Sequence, residues 1–309
     1  MLRLDPHRMF ACPHKVLRPK RRLLTFLPAA LLLGLAISGC SQIQIAYNTA
    51  AFTIELYASR YLGLDDRQVA LWRPLLSEAL AQHRDEEVPA ITALLTQAAE
   101  DVNAGLTKAK VSAWVDQLEP MYQRHARLFV AATAPLLTSL SDAQIDALEK
   151  KFQEQARDDA TDDSPESLAK RKRKRIERYI ENIEWATGDL TQAQRELVGT
   201  EIAKFPDVET SWYAYRYQQR EALIALLRRD ASNEKILSFL NRWLVEFKDM
   251  PVDLVQARDQ MRAGLIQLVV ALDPSLSEAQ RQHFGKQLKV LSEEFESLQQ
   301  RRPTQAPGV

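Results

Sequence analysis

Few side chains in this sequence are spaced as catalytic or metal-binding residues are. His83 and Glu87 stand four residues apart in the segment HRDEE, so on a helix they would share one face, as metal ligands can. The other histidines after residue 40, His125 and His283, stand alone in the sequence. We therefore interpret the segment as a polar cap or an ion pair at a helix junction, with Arg84 as a candidate partner.

Other patterns that carry chemistry are missing from the sequence. The carboxylate pairs Asp65/Asp66 and Asp162/Asp163 fall at a helix cap and in a loop, where they do not form an acid–base pair. There is no G-x-S-x-G elbow, no phosphate-binding loop and no dinucleotide fingerprint. We expect a protein that is not an enzyme and that has no cofactor and no metal.

The N-terminal residues have the pattern of an export signal. A segment rich in Lys and Arg, 15–22, precedes an apolar run at 23–36, which is too short to cross a bilayer core of roughly 30 Å. The ending ISGC resembles the lipobox of bacterial lipoproteins. That resemblance implies that residues 1–39 are a signal peptide, that Cys40 is acylated and, because Ser41 is not Asp, that the destination is the outer membrane. The alternative is an uncut anchor or an ordinary signal peptide.

Charge and cysteine content limit the partners. Residues 1–39 hold seven of the 41 basic and one of the 41 acidic residues, so the remaining chain has a net charge of −6. An acidic chain gives no electrostatic reason to expect nucleic acid. Cys12 lies in the signal, so Cys40 is the last cysteine and no thiol remains for a disulfide, a metal or catalysis.

The strongest charge feature is a run of six basic residues. These are Lys170, Arg171, Lys172, Arg173, Lys174 and Arg175. The run either contacts anionic envelope material, such as lipopolysaccharide phosphates or acidic lipid, or is a solvated helix start balanced by the acidic linker 157–167.

The segment 211–229 concentrates aromatic residues. The candidate groove residues are Trp212, Tyr213, Tyr215, Tyr217 and Arg220. They either line a groove for peptide or lipid, or they seal a helix bundle with their hydroxyls at the solvent.

The elements that must position these residues are helices. Apolar residues recur at intervals of three and four almost throughout, and the chain has only nine glycines. We predict an all-α fold, a multi-helix antiparallel bundle in one or two sub-bundles. Its helical regions are 40–156 and 168–300, joined by the linker 157–167 and followed by a tail at 301–309. We expect Pro120 and Pro135 to kink or divide the stretch after Thr107.

One short motif occurs four times. A leucine is followed by a residue that can cap a helix and, three positions later, by the glutamine of a capping box. The pairs of cap and glutamine are Asp65/Gln68, Ser141/Gln144, Thr191/Gln194 and Ser277/Gln280. Thr107 with Lys110 is a weaker relative. The four leucines are 76, 50 and 86 residues apart, which argues against a solenoid of fixed period.

The motif resembles the LTxxQ motif of the small periplasmic stress chaperones Spy and CpxP, although plain helix capping also explains it. A longer resemblance covers most of the chain after Cys40. The segments AYN, LDDRQ, HRDEEVPAITALL, LSDAQIDALEKKF, RIERYIENIEWATGDLTQAQRELV and YRYQQREALIALL resemble a family of uncharacterised Gram-negative lipoproteins, a domain of unknown function. Here EEVP stands where that family would have Glu-Leu-Pro.

Together these features predict a lipid-anchored protein on the periplasmic side of the outer membrane. We expect a non-catalytic binding role, chaperone-like or in support of envelope assembly, with an envelope protein as partner or client. The alternative is a structural adaptor for lipopolysaccharide, acidic lipid or peptidoglycan. An unrecognised hydrolase ranks last.

Overall fold

The computed structural model describes residues 42–160 and 162–300, and these contain helices and no strands. The predicted all-α, multi-helix bundle is therefore confirmed. The predicted signal peptide 1–39, the acylation site Cys40 and the tail 301–309 lie outside the described residues. The helices are α1 (Gln42–Leu62), α2 (Asp66–Gln82), α3 (Val88–Asn103), α4 (Lys108–Thr138), α5 (Asp142–Asp158), α6 (Pro165–Thr187), α7 (Gln192–Ile202), α8 (Glu209–Leu227), α9 (Asn233–Leu240), α10 (Val252–Leu272) and α11 (Glu278–Gln300).

Short irregular turns connect some of these helices. The π-turn His83–Glu87 joins α2 to α3, a second π-turn, Asn241–Val245, follows α9, and the 3₁₀ turn Asp273–Ser275 follows α10. Pro120 and Pro135 do not divide α4, which continues through both. None of the helices within the described ranges is long and apolar enough to span a membrane.

Glycine ends two helices where the chain must reverse. Gly63 after α1 and Gly188 after α6 have φ angles of +66° and +81°, which a residue with a Cβ adopts only with strain. Each reversal brings a motif leucine, Leu64 or Leu190, to the start of the next helix.

The helices from Gln42 onward form one compact unit in which a packing plan occurs twice. In α1–α5, α1 packs against α2 and α5, and α2 packs against α4. In α6–α11, α6 packs in the same way against α7 and α11, and α7 packs against α10. The equivalent helices α4 and α10 contact each other between the two halves.

In each half, one helix packs against the last helix of the other half. Helix α3 runs antiparallel along α11, where Asn103 faces Gly285 and Thr96 Oγ1 lies 2.8 Å from Ser292 Oγ. Helix α8 runs antiparallel along α5, the last helix of the first half. These two exchanged interfaces, α3/α11 and α5/α8, are equivalent positions of the repeated plan.

The motif leucines help to fill the core. Leu140 lies in one buried cluster with Ile145 and Leu148, the apolar residues of the turns that follow it. Leu190 lies in a second cluster with Val198 and Ile202. The hydrophobic contact therefore accompanies the helix cap at both places.

Candidate functional site

The four motif glutamines act first as local caps. At α2, α5 and α7 the cap side chain accepts from the backbone N–H of the glutamine, and the glutamine Oε1 accepts from the backbone N–H of the cap. At α11 the same two bonds join Ser277 and Gln280, at 3.2 and 2.9 Å. At α4, Thr107 accepts from Lys110 N at 3.3 Å without the reciprocal bond that a glutamine provides.

The same glutamines also pair across the bundle. Gln68 Nε2 donates to Gln144 Oε1 at 3.0 Å, and Gln144 Nε2 donates to Gln68 Oε1 at 2.7 Å. Each amide also donates to the turn before its partner's helix, Gln68 to Ser139 O at 2.6 Å and Gln144 to Gly63 O at 2.7 Å.

Gln194 and Gln280 repeat this arrangement in the second half of the chain. They donate to Ser275 O and Asp189 O, both at 2.8 Å, and to each other at 3.0 Å. We call these two pairs the glutamine junctions. They are structural joints, because every polar atom of each amide is already engaged.

A cluster of titratable side chains surrounds the π-turn. Tyr47 Oη lies 2.6 Å from His83 Nδ1, and the rings of His83 and His125 meet edge to face, 4.5 Å between centroids. His125 Nε2 lies 3.3 Å from the buried Glu87, which accepts from Arg124 Nε at 2.9 and 3.0 Å. His125, isolated in the sequence, is therefore the neighbour of His83.

The electrostatics of this histidine cluster favour neutral rings. Burial lowers the pKa of His83 to about 4, helped by the nearby His125, and burial also lowers the pKa of His125. Burial raises the pKa of Tyr47 to about 12. The ion-pair partner of Glu87 is Arg124 from α4, whereas Arg84 lies over the Tyr47 ring, 5.0 Å from its centroid.

No group of three or more His, Cys, Asp or Glu residues within 42–160 and 162–300 is arranged to hold a metal ion. A π-turn is a common place for function. Here Tyr47 pairs with His83 and Glu87 with Arg124, whereas His125 Nε2 and Arg84 Nε are buried without a hydrogen bond. The cluster is a polar network at the α2–α3 junction.

A pocket of about 270 Å³ opens between α5 and α8. Its lining comprises Glu149, Phe152, Gln153, Tyr217, Arg220, Glu221, Ile224, Ala225 and Arg228. Two of the five groove residues expected from the sequence, Tyr217 and Arg220, line it. We call it the Arg220 pocket.

The other three groove residues lie elsewhere on α8. Tyr215 is fully buried, and burial raises its pKa to about 12. Trp212 packs against Tyr215 with 5.8 Å between ring centroids. Tyr213 donates to Glu209 Oε1 at 3.2 Å and lies under the Arg216 guanidinium. The structure therefore places the five residues in the core, on the surface and in the pocket, not along one groove.

Arg220 is the unusual member of the pocket. The residue is only 9% exposed, and its guanidinium lies over the Phe152 ring, 5.2 Å from the centroid. It makes no hydrogen bond or ion pair with any other residue of the described chain. Burial, and next the neighbouring Arg216 charge, lower the pKa of Arg220 from its usual value.

Comparison with known proteins places the chain in a family. A family model described as a family of unknown function, DUF6279, matches residues 60–244. This match covers more than half of the chain. The chain belongs to the DUF6279 family. The expected membership of an uncharacterised family is thus confirmed at that level. No curated protein and no solved structure matches the chain.

In this DUF6279 protein the matched segment includes the whole Arg220 pocket, the His83 and His125 pair and the Gln68–Gln144 junction. It ends before α10 and α11, so it includes only Gln194 of the second junction.

The basic run of the DUF6279 protein divides into two groups. Arg171 binds the linker and the α7–α8 loop through Asp163 at 2.9 Å and Asp207 at 3.2 Å. Arg175 donates to Phe205 O and Pro206 O, both at 2.9 Å. The other four side chains are exposed: Lys170, Lys172, Arg173 and Lys174. Sequence alone did not separate the two structural arginines from the four exposed cations.

Proposed function

We propose that this DUF6279 protein is a lipoprotein anchored in the outer membrane by an acylated Cys40, with a non-catalytic binding role in the periplasm. That role is chaperone-like or supports the assembly of envelope proteins. One observation carries the proposal. Large apolar side chains on α1, namely Ile45, Phe52 and Leu56, are exposed at helical spacing.

This α1 stripe is well placed for a client. Phe52 is 69% exposed, and Leu71 on the adjoining α2 is equally exposed. Exposed apolar residues that recur on one face are typical of interaction surfaces, because contact with another apolar surface removes them from water. Helix α1 starts two residues after Cys40, so the stripe is close in sequence to the proposed anchor.

The test is photo-crosslinking in living cells, with a photoreactive residue at Phe52 and a control at the exposed Lys289 on α11. One discrete envelope protein captured at Phe52 supports an assembly role. A broad set of partly folded periplasmic proteins supports a chaperone-like role. Adducts at Phe52 that match those at Lys289 refute the proposal.

The anchor is tested separately. Cys40→Ser should release the protein from the membrane fraction, and mass spectrometry of the unaltered protein should show acyl chains on Cys40. A Cys40→Ser variant that stays with the membrane, together with an unacylated wild-type mass, contradicts the anchor.

A second candidate is an adaptor for anionic envelope material, and the four exposed cations of α6 favour it. Replacing Lys172, Arg173 and Lys174 by Gln should weaken binding to vesicles containing lipopolysaccharide and reduce its salt dependence. A control that replaces Lys286 and Lys289 should change neither. Equal binding by both variants would remove this candidate.

A further inference from the structure

Arg220 is a largely buried residue whose guanidinium has no anion in hydrogen-bonding contact. Five N–H donors of an arginine normally find acceptors when the side chain leaves water, since an unpaired buried charge is costly. At 9% exposure, Arg220 has neither a carboxylate nor a carbonyl partner in the described chain, only the face of Phe152. The pocket that it lines therefore lacks one negative group.

The neighbouring carboxylates are engaged elsewhere. The charge of Asp159 acts to raise the pKa of Arg220, but Asp159 forms its ion pair with Arg216, at 3.9 Å. Glu149 is engaged by Arg228, which also donates to Asp146 at 2.8 Å. Glu221 lies close to Tyr217 and raises the pKa of its phenol. Glu149 and Arg228 are thus partners of each other, whereas no lining residue forms an ion pair with Arg220.

The repeated plan shows that the pocket is not a requirement of the fold. The equivalent interface, α3/α11, is closed by small residues. Gly285 there approaches so near that a Cβ would lie 3.0 Å from Asn103 Oδ1, and Ser292 is buried against Thr96. At α5/α8 the same antiparallel contact instead leaves about 270 Å³ open and points a guanidinium into it.

We infer that the Arg220 pocket binds an organic carboxylate whose adjoining apolar group packs on Phe152, Ile224 and Ala225. A guanidinium pairs with a carboxylate through two parallel hydrogen bonds. The nearby Glu149 and Glu221 disfavour a doubly charged phosphate.

The pocket volume limits the ligand. About 270 Å³ is near the lower end of ligand pockets, so it accepts a small molecule or the end of a longer chain. Two sources share the required chemistry, a short fatty acid and the C-terminal carboxylate of a peptide. This site is distinct from the α1 stripe, and neither depends on the other.

The test is calorimetric titration of the full-length protein in detergent with two matched pairs of probes. Octanoate is compared with octanamide, and N-acetyl-leucine with N-acetyl-leucinamide. Each acid should bind at least about tenfold more tightly than its amide, because charge-assisted hydrogen bonds are about twice as strong as neutral ones. The tighter of the two acids identifies the source.

Two variants test the assignment to Arg220. Arg220→Met should abolish the binding of both acids yet raise the melting temperature, since it removes an unpaired buried charge. Arg67→Met, at an exposed site on α2, should leave the acid binding and the melting temperature unchanged.

Three results would overturn the inference: amides that bind as well as acids, acids that bind Arg220→Met as they bind the wild type, and octyl phosphate that binds more tightly than octanoate. If Arg220→Met fails to fold, the comparison of acid with amide on the wild-type protein still decides.

Discussion

Replacing Gln194 by Glu separates two roles of the motif glutamine that the fold combines. A capping box accepts Glu as readily as Gln, because only the side-chain oxygen is used. The glutamine junction needs the amide Nε2, which donates to Ser275 O at 2.8 Å and to Gln280 Oε1 at 3.0 Å. If Gln194 only caps α7, Gln194→Glu should leave the stability of the protein unchanged. If Gln194 also joins α7 to α11, the same substitution should destabilise the protein.

The magnitude follows from the contacts. Two neutral hydrogen bonds contribute about 1 kcal/mol each, and a carboxylate oxygen then faces the Ser275 carbonyl in a site that is 3% exposed. Bonds from Thr191 N and Gln280 Nε2 to the new carboxylate offset part of this cost. We expect a loss of about 3 kcal/mol at pH 7.5, which lowers the melting temperature by roughly 5 °C for a chain of this size.

The pH dependence gives the sharper assay. Burial against a carbonyl raises the folded-state pKa of the introduced Glu above its unfolded value of about 4.3. Because this pKa is raised on folding, the ionised Glu does not weaken the variant below about pH 4.3, and the variant loses stability as the pH rises through the folded-state pKa. Urea unfolding of Gln194→Glu, relative to wild type at the same pH, should therefore show a smaller deficit at pH 4.5 than at pH 7.5.

The matched control introduces Glu at the same helix position without a partner across the bundle. Lys235 is exposed at the start of α9, where Ser232 Oγ accepts from its backbone N–H at 3.4 Å. Lys235→Glu should change stability by less than about 0.5 kcal/mol at either pH. A Gln194→Glu protein that is as stable as wild type at pH 7.5, or equally weakened at both pH values, would show that the junction amide is not needed.

Other expectations rest on separate contacts. Gly264→Ala places a Cβ 2.5 Å from the ring of the buried Phe205 and should lower the free energy of unfolding in urea by about 1–3 kcal/mol. In the control Gly199→Ala the nearest neighbour of the new Cβ is 3.8 Å away, so the free energy of unfolding should be unchanged or slightly higher. His83, whose folded pKa is about 4, resists protonation, so stability should fall as the pH drops from about 6.5 towards 4. After a discount for partial solvent screening, the free energy of unfolding should fall by about 1 kcal/mol between pH 7.5 and 5. Urea unfolding of His83→Gln at these two pH values should not show this fall.

The helix starts were accessible from the sequence because their rules are local. Ser164 followed by Pro165 predicts a cap and a first helical residue, and the structure begins α6 there with Ser164 Oγ accepting from Ser167 N at 3.3 Å. A cap and its glutamine are three residues apart, so both bonds form within a single turn whatever the rest of the chain does.

The pairing of distant residues was not accessible in the same way. His125 comes from α4 and His83 from the π-turn, and no periodicity relates the two positions. Arg220 stands out in the sequence as part of an aromatic segment, but its lack of a partner depends on which face of α5 it meets. The contact of the two histidines and the missing partner of Arg220 both follow from tertiary packing. The amphipathic pattern of a single helix does not specify which helices pack together.

The unequal motif spacings now have a physical explanation. The separations of 76 and 86 residues are those between the two motifs of a single junction: Leu64 and Leu140 in the first half, Leu190 and Leu276 in the second. The separation of 50 residues is that between the two junctions, from Leu140 to Leu190. Each junction joins the second and last helices of one half, α2 with α5 and α7 with α11, and the exchanged helices α3 and α8 pack between halves. Because the joints hold both halves in the same way, the α5/α8 interface can stay open while its equivalent is closed. A fold that is joined at its helix starts therefore tolerates an unpaired guanidinium between two of its helices.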